Sequence, residues 1–225
     1  MTDRLLVATP MCWGICTAAY HFSALELCNV LTRSKLEHAF YKTTNESLIT
    51  RGRDVIASDF VLHYHDYGRL LFIDSDIEFT PSHVAALWNM DADIAVGCYP
   101  MKKLGAPYAA WVNRRLLRLE DIEGKADPFR VDHAGTGFMM IKRHVFERMM
   151  EAHPEWKHEE GHIGECWGFF QDPLEFLPDD KDNLIRVHMP EDYFFCRRAG
   201  ELGFQVMMHP KVQLTHWGMH GYDGR

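Results

Sequence analysis

The chain has 225 residues, 47% of them hydrophobic and 25% charged, with 24 Lys and Arg against 32 Asp and Glu for a net charge of −8. This is the composition of a globular protein with a sizeable core, which excludes a disordered, collagen-like or disulfide-dense chain. The acidic surplus also argues against coating nucleic acid, because phosphate binding needs a basic face.

In chain order, Leu5, Leu6 and Val7 make residues 4–8 a buried strand that closes at Thr9 and Pro10. Residues 17–31 read as a helix, 37–42 as a strand, and 48–63 as a helix with Val55, Ile56 and Phe60 near one face. The apolar run at 69–73 predicts a strand, and Pro81 opens a helix over 81–90 at a tolerated first-turn position. A strand follows at 94–99. Residues 109–112 and 116–119 pair around Asn113, Arg114 and Arg115, 138–141 form a strand, and 144–152 a helix. Residues 153–189 show little periodicity and are expected to be a long functional loop. A helix at 190–202 ends on Gly203, and short strands at 206–209 and 212–216 complete the chain. Such strand–helix alternation implies an α/β fold with a mostly parallel sheet covered on both faces, in one domain over residues 1–225.

No apolar run approaches the roughly 18–20 residues of a membrane span, and the N-terminus lacks the order of a signal peptide. The six cysteines (Cys12, Cys16, Cys28, Cys98, Cys166, Cys196) contain no paired CxxC spacing. Reduced thiols in a cytoplasmic protein are therefore expected, without a zinc cluster.

Asp74 and Asp76 follow directly on the apolar run Leu70, Leu71, Phe72 and Ile73. Ligands of open α/β sheets bind beyond the carboxyl ends of the strands, so both acids emerge where a ligand belongs. Carboxylates two apart can hold a divalent cation that grips phosphate oxygens; a solvated acidic turn is the plain alternative. His216, at another strand end, would complete a mixed oxygen and nitrogen site suited to Mn²⁺ over Mg²⁺, with His209 and His220 as competitors. Glu191 and Asp192 open a helix, where the dipole should keep Asp192 ionised and able to accept a proton. Arg51 and Arg53 stand near the start of another helix, within reach of a diphosphate or on a solvated face. Gly135 and Gly137 flank Thr136 in a turn through which backbone could approach a ligand. One motif is rejected: His158, Glu159 and His162 match the H-E-x-x-H pattern, but Pro154, Gly161 and Gly164 oppose the helix it requires.

Taken in order, these motifs resemble the nucleotide-sugar-dependent glycosyltransferases of the GT-A fold, especially small viral and bacterial members. The likeness runs over residues 4–218. It implies a Rossmann-like three-layer sandwich with a mostly parallel central sheet. It also implies a UDP- or GDP-sugar donor and a glycan or other hydroxyl acceptor, handled outside any membrane span. By the same resemblance Thr9 and Pro10 border the nucleotide, and Arg51 binds it or its phosphates. Asp74 and Ser75 lie on the ribose and sugar side, and Gly137 flanks the donor sugar. Asp74, Asp76 and His216 are the metal residues, with Asp76 binding the ion directly, and Asp192, next to Glu191, is the general base of an inverting transfer.

Retaining enzymes of the fold share the Asp-x-Asp and late His-x-Gly elements, so inversion rests on Glu191 and Asp192. The aromatic residues of 153–189 are expected to contact the acceptor or to pack in the core. A non-catalytic nucleotide-sugar-binding module is a second reading. A nucleotidyltransferase is a third, although the segment after the first strand lacks the basic, Gly-rich loop it needs. The nine residues beyond His216 leave both a trimmed domain and a complete small enzyme open.

Overall fold

The computed structural model describes residues 4–44, 46–161, 163–178, 183–218 and 220–224. Its first half is β1 (Leu5–Met11), α1 (Ala18–Ser34), β2 (His38–Thr44), α2 (Ile49–Leu62), β3 (Arg69–Ile73), β4 (Ile77–Glu78), α3 (Pro81–Met90) and β5 (Ile94–Cys98). A hairpin of β6 (Ala110–Val112) and β7 (Arg115–Leu116) follows, then α4 (Leu119–Ile122), β8 (Phe129–Val131), β9 (His133–Ala134), β10 (Phe138–Lys142) and α5 (Arg143–Ala152). Two further hairpins pair β11 (Lys157–Glu160) with β12 (Gly164–Trp167) and β13 (Leu174–Pro178) with β14 (Leu184–His188). The chain closes with α6 (Glu191–Glu201), β15 (Val206–Gln213), β16 (Thr215–Trp217) and β17 (Gly221–Tyr222).

Seven strands form the central sheet in the order β2-β1-β3-β10-β5-β15-β8. Pairing is parallel except where β10 meets β3 and β5 and where β8 meets β15, so five strands share one direction. Alternate residues of each central strand feed opposite faces. Leu6, Ala8, Leu70 and Phe72 pack with Ile56 and Phe60 of α2, Phe146 of α5 and Phe195 of α6. Leu5, Val7, Leu71 and Ile73 pack on the other face with Leu27 of α1 and Leu87 of α3. Helices on both faces bury continuous apolar strands, giving the three-layer sandwich.

Local chemistry sets the helix ends. Thr17 caps α1 by accepting from the Tyr20 amide at 3.2 Å. Thr80 and His83 make reciprocal caps ahead of Pro81 on α3. Asn113 and Arg114, both at positive φ, form the two-residue turn that joins β6 to β7.

Several boundaries differ from those expected. β1 continues through Pro10 to Met11, because its pairing with β3 stops at Ala8 and leaves Pro10 no ladder bond to supply on that side. Residues 153–189 are not a loop. They hold a short 3₁₀ turn (Pro154–Trp156) and both late hairpins. β11 is polar and charged throughout, and the apolar Leu174, Phe176, Leu184 and Ile185 of β13 and β14 stand exposed, so no buried apolar face marks these three strands. Trp167, Phe169 and Phe170 from this stretch are buried in the core beside α2. The Trp167 amide donates to Ser58 Oγ at 2.8 Å and the Phe170 amide to Asp54 Oδ1 at 2.7 Å, tying the segment down. Residues 206–213 form one strand with a register shift between Met208 and Gln213, rather than two. His158 and Glu159 stand on β11 opposite Cys166 and Glu165, so no H-E-x-x-H helix forms; His162, like Asn45, lies outside the described residues.

Candidate active site

The chain starts in the interior of the sheet, moves to β2 on one side and then to β3 on the other. The reversal opens a crevice at the carboxyl ends of β1 and β3, the usual binding position in open α/β sheets. A cleft of about 250 Å³ lies there. Pro10 and Met11 line it from β1 and Cys12 from just beyond, Leu48 and Gly52 from the cap and first turn of α2, and Asp74, Ser75, Asp76, Lys102 and His216 from across the switch point.

The turn after β3 is tight: the Asp74 amide donates to the Gly137 carbonyl at 3.0 Å, and the Ile77 amide to the Asp74 carbonyl at 3.1 Å. β16 pairs antiparallel with β4, setting His216 opposite Ile77, and the Trp217 amide donates to the Asp76 carbonyl at 2.8 Å. Two stretches far apart in sequence thus deliver Asp76 and His216 to one point. His216 Nδ1 faces the Pro100 carbonyl at 2.9 Å. A carbonyl only accepts, so Nδ1 carries a proton, and Nε2 lies 3.4 Å from Asp76 Oδ1. Asp76 Oδ1 is buried without a hydrogen bond, while Oδ2 meets the Lys102 ammonium at 2.5 Å. Burial would raise the Asp76 carboxyl, but His216 and Lys102 outweigh it and hold it below the usual range.

Asp74 has a different partner. Arg53 Nη2 donates to both its oxygens, at 3.1 and 3.2 Å, and Arg53 Nη1 donates to Glu191. Arg53 is only 4% exposed. Burial works against its charge, yet Asp74 and Glu191 together raise its pKa. The guanidinium therefore ties the end of β3 to the start of α6. Arg51, two residues earlier, pairs instead with Glu46 at 3.0 Å and Glu160 at 3.1 Å. Among the described residues no group of three or more His, Cys, Asp or Glu side chains is arranged around a common point for a metal.

Asp192 corrects the sequence expectation that the helix dipole keeps it ionised. Burial, then the neighbouring Glu191 charge, push its carboxyl up to about 7, against the opposing pull of Arg53. Half its ionisation thus falls near neutral pH, where a general base works best.

Thr9 is buried and shares a 2.5 Å hydrogen bond with Tyr20, so its side chain supports β1 from within, and Pro10 reaches the cleft. Ser75 lines the cleft, and its carbonyl accepts from the Thr17 amide at 2.9 Å. Gly137 is required by a side chain the sequence did not flag. A Cβ there would lie 2.8 Å from the Tyr99 hydroxyl and 3.0 Å from Asp74 Oδ2. The Gly137 amide donates to that hydroxyl at 2.9 Å, and the Tyr99 ring packs edge-on against His216 with centroids 5.3 Å apart. Tyr99 and Lys102 are the supporting residues that sequence reasoning missed. Both stand after β5, in a stretch for which the sequence suggested only the end of a strand.

No protein-family model and no curated protein matches the chain. Solved structures do. The fold is similar to A197 from STIV, with a TM-score of 0.56 at 19% identity, over 96% of this chain and 86% of that one. It is also similar to the catalytic domain of Drosophila beta1,4-galactosyltransferase 7, solved in complex with xylobiose. There the TM-score is 0.51 at 11% identity, over 100% of this chain and 76% of that one. Among the described residues no helix is long and apolar enough to cross a membrane. With its sheet order, its two helical layers and its crevice at the β1–β3 switch point, the chain has the fold of GT-A-type glycosyltransferases.

Proposed function

We propose that the chain is a nucleotide-sugar glycosyltransferase that moves a sugar from a UDP- or GDP-sugar to an acceptor hydroxyl with inversion. The observation that carries this reading is the meeting of Asp76 and His216 in the switch-point cleft, with Asp192 joined to the same cluster through Glu191, Arg53 and Asp74. The reading treats residues 1–225 as one catalytic domain.

A divalent cation fits one corner of the cleft. Asp76 Oδ1 is buried and unbonded, and His216 Nε2 lies 3.4 Å from it, an oxygen and a nitrogen that a shared cation would satisfy. Asp76 and His216 would hold such an ion, and a mixed carboxylate and imidazole set favours Mn²⁺ over Mg²⁺. The ion, when bound, would neutralise the donor diphosphate as a leaving group. Asp74, occupied by Arg53, serves as a wall on the sugar side rather than as a ligand.

The protein's own groups do the rest. Asp192 accepts the proton of the acceptor hydroxyl as its oxygen forms a bond to the anomeric carbon. The bond from that carbon to the diphosphate oxygen breaks on the opposite face, inverting the centre and releasing the nucleoside diphosphate. Lys102, whose ammonium sits on Asp76 in the cleft, adds positive charge for the departing phosphate oxygens. Arg53 keeps Asp74 and Glu191 paired, so that neither carboxylate is left uncompensated beside the anionic donor.

Calorimetric titration with UDP and GDP tests the cleft. Binding of at least one diphosphate that strengthens with Mn²⁺, and is lost in Asp76→Ala, is the expected result. Absence of binding by either nucleotide contradicts the reading.

A further inference from the structure

The aromatic residues that the sequence offered as acceptor contacts are largely spent elsewhere, since Trp167, Phe169 and Phe170 are core. A different trio gathers beside Asp192. Trp111 on β6 and His133 on β9 are direct cross-strand partners in the small sheet, which places their side chains on one face. Tyr193, the residue after Asp192 on α6, meets both edge-on. Its ring centroid lies 5.3 Å from His133 at 81° and 6.3 Å from Trp111 at 75°.

Three features separate this trio from ordinary packing. None of the three residues belongs to either apolar core, and each keeps part of its surface open to solvent. Burial lowers the His133 pKa, and its Nδ1 is buried with no hydrogen-bond partner among the described residues. The trio also adjoins the carboxylate assigned as base: the Tyr193 amide donates to Asp192 Oδ1 at 2.8 Å.

We propose that Trp111, His133 and Tyr193 form the seat of a carbohydrate acceptor, holding a pyranose against their ring faces with one hydroxyl directed at Asp192. This rests on the glycosyltransferase reading and names its acceptor class. The chemistry matches a sugar. The C–H bonds of a pyranose face carry slight positive charge and lie well on the negative face of an aromatic ring. Sugar hydroxyls, in turn, suit the nearby Asp192 carboxylate. The three residues touch the acceptor but move no proton, so they set acceptor affinity and position rather than chemistry.

The test is saturation-transfer NMR on the full chain with Mn²⁺ and whichever of UDP or GDP binds. The probes are the methyl α- and β-glycosides of glucose, galactose, mannose and xylose. Saturation should reach the ring C–H protons of at least one glycoside. Trp111→Ala should weaken that glycoside at least tenfold and Trp111→Phe by less than threefold, with nucleotide affinity unchanged in both as a check of folding. If Trp111→Ala fails that check, Tyr193→Leu is read in its place and should show the same tenfold loss. A protein that binds nucleotide but none of the glycosides overturns the acceptor seat and leaves the donor reading standing. So does equal glycoside affinity in wild type and variant. A protein that binds neither nucleotide overturns the glycosyltransferase reading itself, and the seat with it.

Discussion

Arg53 holds Asp74 by both carboxylate oxygens, at 3.1 and 3.2 Å, from a position on α2 that is itself almost completely buried. Its second nitrogen donates to Glu191 at the start of α6. One side chain thus fixes the distance between the turn carrying Asp74 and Asp76 and the helix carrying Asp192. Removing it leaves two partly buried carboxylates facing each other, and losing one partner of a buried pair costs on the order of 3 kcal/mol. Arg53→Met should lower unfolding stability by about that amount in denaturant titration. Arg53→Lys should recover only part, because one ammonium cannot replace the planar fork. A stability equal to wild type in Arg53→Met would remove the bridge from the account.

Arg53 also shows where the sequence was legible and was read too simply. It lies three, four and seven residues before Ile56, Ala57 and Phe60, which places it on the buried face of α2. An arginine at that phase must be paired, and the helical period alone points to it. Other elements were plain. β3 and α3 match their expected limits because an apolar run stops at Asp74 and a proline opens the helix at 81. β8 and the hairpins of 157–188 were not legible, since their short or exposed strands owe their form to distant partners such as β15, Ser58 and Asp54. Asp192 followed the same logic. Its place at a helix start was visible, but the burial that outweighs the dipole was not.

That burial gives Asp192 a pH signature. Its carboxyl titrates near 7, so the base form is scarce at pH 6 and predominant at pH 8. The rate of transfer at saturating donor should therefore rise about tenfold between pH 6 and 8 and level off above. Asp192→Asn should reduce transfer by at least about 100-fold while leaving nucleotide affinity unchanged. A flat profile in wild type, or an Asn variant that still transfers, would contradict its role as base.

Asp54 reports on the anchor beneath the hairpin of β11 and β12. Burial pushes its carboxyl up to about 8, even though the Phe170 and Phe169 amides favour the charged form. A raised folded pKa means that the folded state holds the proton after the unfolded state has released it. The associated stability is complete below about pH 4 and is lost as pH rises toward 8. Asp54→Asn keeps an oxygen for the Phe170 amide and cannot titrate. The stability of wild type relative to this variant should therefore fall by about 2–3 kcal/mol between pH 5 and 7. Parallel stability curves would show that Asp54 is ionised in the fold.

At the cleft, His216→Ala should abolish the strengthening of diphosphate binding by Mn²⁺ while leaving metal-free binding in place. Lys102→Gln should instead weaken diphosphate binding both with and without Mn²⁺, since its charge acts on the phosphates directly. Chelation of divalent ions should reproduce the His216→Ala effect in wild type. Metal enhancement that survives in His216→Ala would take that imidazole out of the site.

Transfer of a sugar from a nucleotide donor can be followed by incubating the full chain with Mn²⁺ and a panel of UDP- and GDP-sugars, with release of free nucleoside diphosphate as the readout. Release from at least one donor is expected, accelerated by a carbohydrate acceptor and lost in Asp192→Asn. No release from any donor, with or without acceptor, would contradict the glycosyltransferase reading.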